Sequence, residues 1–280
     1  MKISALVNTA AGSVGPNGLH RMWRVLGGLG LPQAKIVALD RSSGERQVLS
    51  LLENAPDLLV VWGGDGTHRT ALNAARLDGA NVLLLPGGTM NLLTKWIHGD
   101  RPWDETRRAV TSARATRTLN AGGVDDSLFF CALIAGVPAR FALAREDVRV
   151  GDLARAFQDA GSALDVAAHL HLAARTGSGR DLAAGNVVAA MVGPLSRSSG
   201  MDVAGLNVPS ATAALGLAWS SLRSDWRTLE GVDMRRADAV TISDPDGHAI
   251  PVIMDGEQVE TGSAFTVRYR EAAATCVVAA

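Results

Sequence analysis

The stretch Val60-Val61-Trp62-Gly63-Gly64-Asp65-Gly66-Thr67 decides the fold of this chain. The apolar run 58–62 predicts a buried strand, and the glycines predict a tight turn after it. Residues 71–75 predict a helix, with Thr67 as the residue that caps its start. Glycine lets a backbone approach an anion and a helix start offers unpaired N–H groups, so the arrangement predicts a phosphate site. Asp65 would repel a phosphate unless a cation lay between them, which indicates a nucleotide handled with a metal such as Mg²⁺.

The same order of strand and glycine turn returns one unit later. The apolar run 82–85 is followed by Pro86-Gly87-Gly88-Thr89-Met90-Asn91. Adjacent parallel strands would bring both turns to the carboxyl edge of one sheet, where open α/β sheets bind ligands. Asn8-Thr9-Ala10-Ala11-Gly12-Ser13 follows the first predicted strand and would reach the same edge, although alone it fits an ordinary turn equally well. Two matched glycine turns favour a phosphate site over plain turns.

Patterning divides the 280-residue chain into two predicted domains. Strand and helix patterns alternate at first, which predicts an α/β domain with a parallel sheet over residues 1–119, closed by a helix at 104–113. Short strand patterns separated by turn residues predict a mainly antiparallel β domain over residues 120–280, interrupted by a helix at 153–170. The last strand is a candidate for packing back on the first domain.

Composition narrows the class of protein. The chain has 27 basic and 28 acidic residues and a net charge of -1, which argues against nucleic-acid binding through bulk charge. Cys131 and Cys276 form no spaced metal motif or disulfide framework, so we expect a reduced, cytoplasmic compartment. We find no secretory signal and no stretch apolar enough to span a bilayer, so membrane contact would be peripheral. The sequence is also compatible with assembly of two copies of the chain into a homodimer.

A late acidic motif, Asp255-Gly256-Glu257, follows an apolar strand pattern at 250–254. Paired acids on a rigid hairpin can hold a metal or take a proton from a hydroxyl, but on local grounds an ordinary Asp-Gly turn is favoured. Just upstream, Asp244-Pro245-Asp246-Gly247 is a turn pattern that predicts a hairpin between strands at 239–243 and 250–254.

Together the three loop segments and the late acidic motif resemble the diacylglycerol kinase catalytic-domain family of bacterial lipid kinases, which is related to sphingosine kinases and NAD kinases. The resemblance implies a nucleotide-binding α/β domain, a β-rich lipid-substrate domain, ATP and Mg²⁺. It implies catalytic roles for Asp65 and Glu257, with Glu257 as candidate general base, and metal roles for Asp65 and Asp255. The residues it assigns to nucleotide binding are Asn8, Gly12, Ser13, Gly63, Gly64, Gly66, Thr67, Gly87, Gly88, Thr89 and Asn91.

Two positions depart from the family pattern. Many relatives carry Glu three positions after the motif's Thr and Asp after the third loop's Asn, where this chain has Thr70 and Leu92. From the resemblance we expect an ATP-dependent lipid kinase with a diacylglycerol-like acceptor that touches membranes transiently, and the two departures are the reason to keep a silent regulator as an alternative. Two alternatives are an NAD kinase, which lacks support because no downstream Asn-Glu pair is found, and a catalytically silent nucleotide- or lipid-binding regulator.

Overall fold

The structure is a computed structural model that describes residues 1–31, 33–40, 42–76, 79–110, 115–139, 170–207 and 232–278. The helix predicted at 153–170 lies outside these residues, apart from Leu170. The chain divides into two compact units, of which unit 1 comprises Met1–Ala121, Pro194–Ser196 and Glu271–Ala280, and unit 2 comprises Gly122–Gly193 and Arg197–Arg270.

Unit 1 is built on a parallel sheet with the strand order β2-β1-β3-β4. These strands are Ile3–Val7 (β1), Lys35–Ala38 (β2), Leu58–Gly63 (β3) and Val82–Pro86 (β4). Val7 pairs with Trp62, and Trp62 pairs with Leu85. Because these three strands end at the same level, the loops that follow them begin side by side at one edge of the sheet.

The strands of this sheet are apolar almost without interruption. Every residue of β1, β3 and β4 is buried. Helices that cover both faces of a parallel sheet produce this pattern, in contrast to the alternation of a half-exposed strand. On one face, Val60, Trp62 and Leu85 pack in a cluster with Met22 and Leu26 of the first helix, which are spaced one turn apart.

The helices of unit 1 follow the strands closely. They are Gly18–Gly28 (α1), Gly44–Leu52 (α2), Asp65–Ala75 (α3), Leu92–His98 (α4) and Trp103–Thr106 (α5). The helix predicted at 104–113 is shorter, because α5 gives way to a 3-10 turn at Arg107–Val110. In the described parts of the chain, none of the helices has both the length and the apolar character needed to cross a bilayer.

The start of α3 corrects one prediction. Thr67 was expected to cap the helix, but α3 begins at Asp65 and Gly64 occupies the capping position in an extended conformation. Thr67 lies inside the first turn and is buried. The helix therefore starts within the glycine turn, three residues earlier than predicted.

Within the described residues of unit 2, every strand pair is antiparallel, and a mainly antiparallel C-terminal region was predicted. One sheet has the order β12-β11-β10-β7-β14-β15, and a second set of pairs joins β9 to β8, β8 to β13 and β13 to the first part of β16. The strands are Ala115–Val124 (β5, which ends in unit 2), Ser127–Phe129 (β6), Ala132–Gly136 (β7), Ala173–Thr176 (β8), Asp181–Leu182 (β9), Val187–Met191 (β10), Met201–Leu206 (β11), Asp233–Ala237 (β12), Ala239–Ser243 (β13), Val252–Met254 (β14), Glu257–Val259 (β15) and Ala264–Val278 (β16, which begins in unit 2 and ends in unit 1).

The prediction of a hairpin around Asp244-Pro245-Asp246-Gly247 is wrong: a turn forms there, but the strands on its two sides do not pair with each other. The backbone N–H of Gly247 donates to the carbonyl of Asp244 at 3.1 Å, and the φ of Gly247 is 81°. However, β13 pairs with β8 and β16, whereas β14 pairs with β7 and β15. The chain thus crosses from one sheet of unit 2 to the other at this turn. A turn pattern cannot reveal this, because pairing partners are set by residues far away in sequence.

Candidate functional site

Three loops meet at the carboxyl edge of the unit 1 sheet, as the sequence predicted. The side-chain amide of Asn8 donates to the hydroxyl of Thr67 at 2.8 Å, which joins the first loop to the start of α3. The backbone N–H of Ser13 donates to the carbonyl of Gly87 at 3.0 Å. The N–H of Gly87 in turn donates to the carbonyl of Gly63 at 2.8 Å. Residues from all three loops therefore form one bonded cluster.

The paired glycines allow the second and third loops to touch backbone to backbone. A Cβ placed on Gly88 would lie 2.7 Å from the Cα of Gly64, and one on Gly87 would lie 3.1 Å from the Cα of Gly63. A carbon atom does not fit at 2.7 Å, and at 3.1 Å it fits only if the neighbouring backbone shifts. None of these four glycines has φ in the left-handed region. Close approach, and not a special backbone conformation, is the reason for glycine here.

Asp65 connects the glycine turn to the next helix. Its Oδ1 accepts the backbone N–H of Leu93 at 2.9 Å and its Oδ2 accepts that of Leu92 at 3.1 Å. These are the first two residues of α4. A carboxylate at this point accepts hydrogen bonds from N–H groups that have no partner within the helix. Its negative charge also interacts favourably with the positive end of the helix dipole. Asp65 therefore positions α4, and the metal and catalytic roles assigned to it stay predictions.

Asn91 closes the third loop on itself. Its backbone is left-handed, with φ at 52°. Its Oδ1 accepts the N–H of Gly88 at 2.8 Å, and its Nδ2 donates to the carbonyl of Gly88 at 2.9 Å. Asparagine tolerates this conformation and bonds local backbone better than most residues, which explains its place before α4.

Arg21, which no motif in the sequence indicated, supports the first loop. Arg21 of α1 donates through Nη1 to the carbonyl of Val14 at 3.1 Å. Its guanidinium carbon lies 4.7 Å from the ring centre of Trp62 and 4.8 Å from that of Trp103, and the two rings stack at 4.4 Å. The indole N–H of Trp62 donates to the carbonyl of Pro86 at 3.1 Å. The position of Trp62, just before the glycine turn, was the one available hint.

Two buried histidines lie behind the same edge. His68 of α3 is fully buried, and its Nε2 lies 3.1 Å from the carbonyl of Leu85. His98 of α4 meets the carbonyl of Leu84 in the same way at 3.0 Å. A carbonyl only accepts, so each Nε2 carries the proton. Burial lowers the pKa of His68, and it lowers the pKa of His98 to about 4, so both rings are neutral at neutral pH.

In unit 2, the late acidic motif forms a tight hairpin. Asp255 and Gly256 have φ of 48° and 88° and join β14 to β15, where Met254 pairs with Glu257. Positive φ at both central residues is typical of a type I′ turn. Glu257, the candidate base, is exposed at the start of β15.

The carboxylate of Asp255 is buried and accepts three backbone N–H groups. Phe130 donates to Oδ2 at 2.7 Å, and Cys131 and Ala132 donate to Oδ1 at 2.9 Å each. These bonds attach the hairpin to the segment between β6 and β7. Asp255 therefore has a structural task in unit 2, and its assignment as a metal ligand stays a prediction.

Comparison with known proteins supports the family resemblance. Residues 2–122 match the model of the diacylglycerol kinase catalytic domain, so the resemblance predicted from the three loops is confirmed. All three loops lie inside the match, and Asp255 and Glu257 lie beyond it.

Solved structures share the fold at low sequence identity. One, described as a diacylglycerol kinase from Bacillus anthracis str. Sterne, has a TM-score of 0.66 at 14% identity and covers 99% of this chain and 96% of that one. Another from the same organism, described as a candidate diacylglycerol kinase, has a TM-score of 0.68 at 15% identity with the same coverage. This likeness confirms the predicted fold class, an α/β region with a parallel sheet followed by an antiparallel β region.

Proposed function

We propose, from the match of residues 2–122 to the diacylglycerol kinase catalytic domain, that this protein is an ATP-dependent lipid kinase. It would transfer the γ-phosphoryl group of ATP to a lipid hydroxyl, with a diacylglycerol-like acceptor. The observation that carries the proposal is the bonded cluster of three loops at the carboxyl edge of unit 1, with glycines where the second and third loops touch.

The nucleotide would lie on these loops. Phosphate oxygens suit the backbone N–H groups at the start of α3, where Gly64 precedes the helix and Gly66 lies in its first turn. The hydroxyls of Ser13 and Thr89 are further donors at the same edge. A Cβ placed on Gly12 would make ordinary contact with the hydroxyl of Thr89, at 3.5 Å, so the first and third loops are neighbours at this edge.

The donor set of unit 1 also fits Mg²⁺, which prefers carboxylate oxygens, phosphates and water. Asp65 supplies a carboxylate at this edge, and we propose that it orients the metal directly or through water. When bound, Mg²⁺ would supply charge neutralisation on the phosphates. Asp65 holds the N-terminus of α4 at the same time, so the residue would couple the helix position to the nucleotide site.

We propose Glu257 as the group that accepts the proton of the lipid hydroxyl. A carboxylate on a short hairpin is held in place by the turn, and Asp255 fixes this turn through its three N–H bonds. Most of the remaining catalysis would come from positioning and charge stabilisation, as phosphoryl transfer requires. Contact with the bilayer would be peripheral and transient.

A silent nucleotide- or lipid-binding regulator is the second candidate. Asp65 is already bonded to two backbone N–H groups. Thr70, further along α3, packs towards the start of α2, where its methyl would lie 3.5 Å from a Cβ on Gly44. In a regulator, Asp65 and Thr70 would only stabilise the fold, at positions that serve catalysis in a kinase, and both observations are compatible with this.

Incubation of the full-length protein with ATP labelled at the γ-phosphate, with Mg²⁺ and a panel of diacylglycerols, other lipid extracts and NAD, separates the candidates. We expect label in lipid. Label in NAD would establish the alternative kinase. Binding of ATP without transfer to any acceptor would favour the regulator and overturn the proposed activity.

A further inference from the structure

The turn between β13 and β14 brings two carboxylates and an imidazole together. Asp244, Asp246 and His248 alternate along the chain, and one ligand atom from each lies within 4.8 Å of the others. Oxygen ligands at alternate positions of a tight loop are a common way to surround a cation. The three residues lie in unit 2 and take no part in the proposed kinase site.

The backbone of this turn is fixed at several points. The N–H of Asp246 donates to Oδ1 of Asp244 at 2.7 Å. The N–H of Asp244 donates to the carbonyl of Ser263 at 2.8 Å, and that of Ile250 donates to the carbonyl of Gly262 at 3.2 Å. Both ends of the turn are therefore hydrogen-bonded to the segment before β16. The backbone that carries the three side chains is held in place by these bonds.

Asp244 shows an independent sign of a missing partner. Its side chain has 0% exposure, and its Oδ2 has no hydrogen-bond partner among the residues that the structure describes. Nδ1 of His248 lies 3.3 Å from Oδ2, which is within ion-pair distance, but it makes no hydrogen bond to that oxygen. A buried carboxylate oxygen without a hydrogen-bond partner lowers the stability of the fold, and a positive charge next to this atom would offset that loss.

We propose that Asp244, Asp246 and His248 bind a divalent transition-metal ion, for which Zn²⁺ is the best match. Carboxylate oxygens and an imidazole nitrogen are ordinary Zn²⁺ ligands at about 2.0–2.2 Å, with water to complete the shell. Mg²⁺ and Ca²⁺ favour all-oxygen sites, so the imidazole argues against them. Asp246 and His248 are exposed and can close the small remaining distance, whereas Asp244 is fixed.

A metal at this turn would strengthen unit 2. The turn links β13 and β14, which belong to different sheets of that unit. An ion that binds the folded turn and not the unfolded chain stabilises the fold by mass action. The competing explanation for the buried oxygen is a protonated His248 ring acting as the counter-charge without any metal.

The test is calorimetric titration of Zn²⁺ into untagged full-length protein that has been stripped with a chelator and contains no nucleotide. We expect one site that disappears in Asp246→Asn and in His248→Gln. The affinity should fall more than about 100-fold, because even groups behind a metal ligand are worth about 10–100-fold. Both changes are at exposed positions, so folding should survive them. Zn²⁺ should also raise the Tm of the wild type and not that of the variants.

Matched controls are Glu260→Gln and His171→Gln, which change the same kinds of side chain at exposed positions outside the turn. We expect both to bind Zn²⁺ as the wild type does. Equal Zn²⁺ affinity in wild type, Asp246→Asn and His248→Gln would overturn the proposal. Absence of Zn²⁺ binding by the wild type would overturn it as well.

Discussion

At the scale of single residues, Asp65 shows how one carboxylate can serve structure and chemistry together. We expect Asp65→Asn to abolish phosphoryl transfer, because an amide is a poor ligand for the metal that the nucleotide needs. The structure adds a second effect. An amide has one acceptor oxygen in place of two, so one of the bonds to Leu92 and Leu93 is lost. We expect a stability loss of about 1 kcal/mol in denaturant unfolding.

Near-normal turnover in the Asp65→Asn variant, with circular dichroism showing that the variant is folded, would contradict the proposed role of Asp65. Asp104→Asn, an exposed acid in the first turn of α5, is the matched control and should keep its activity.

Glu257 is the residue whose role is easiest to isolate. Glu257→Gln preserves size and hydrogen bonding but removes the basic group, so the rate should fall by about 10²–10⁴-fold. ATP affinity should hardly change, because Glu257 is proposed to face the acceptor. Rate measurements with labelled ATP, together with ATP titration, check both parts. Unchanged turnover would remove Glu257 from the mechanism.

At the scale of elements, α1 supports the first loop through Arg21. We expect Arg21→Met to weaken ATP binding by about 3–10-fold, since it removes a charged donor to the Val14 carbonyl and a cation from the Trp62 ring. Calorimetric titration of ATP checks this. Arg24→Met, on the same helix, should bind ATP normally, because Arg24 contacts His20 instead. Equal affinity in the two variants would mean that Arg21 does not position the loop.

The sequence predicted elements better than it predicted their partners. The bounds of the strands that end in Gly63 and Pro86 agree with the predicted bounds to within one residue. Long apolar runs that stop at glycine turns define both the type and the end of a strand. The use of Asp65 as a cap for α4 was not predictable, since its partners lie 27 and 28 residues away. The split of β13 and β14 between two sheets was missed for the same reason.

At the scale of the whole molecule, the buried histidines make stability depend on pH. An unfolded histidine has a pKa of about 6.5, whereas burial holds that of His98 at about 4 in the fold, with nearby His68 and Arg101 adding to the effect. Below pH 6.5 the unfolded chain therefore binds more protons than the folded one. The free energy of unfolding should fall by about 3 kcal/mol between pH 6.5 and pH 4 on account of His98.

Urea unfolding across this range checks the prediction. His98→Gln should be less stable than the wild type at pH 7 but should lose less stability on acidification. An identical pH dependence in the two proteins would show that His98 is not the source.

The central claim is that the three loops of unit 1 bind the phosphates of a nucleotide, and titration of Mg²⁺ and ATP into Gly12→Val tests it most directly. A Cβ at Gly12 meets only the Thr89 hydroxyl, at 3.5 Å, so the fold should tolerate the change while the ligand does not. Gly28→Val, where a Cβ meets nothing within 4 Å, is the matched control. We predict that the wild type and Gly28→Val bind ATP equally and that Gly12→Val binds it at least about tenfold more weakly, which corresponds to about 1.4 kcal/mol. Equal affinity in all three proteins, or no ATP binding by the wild type, would contradict the account.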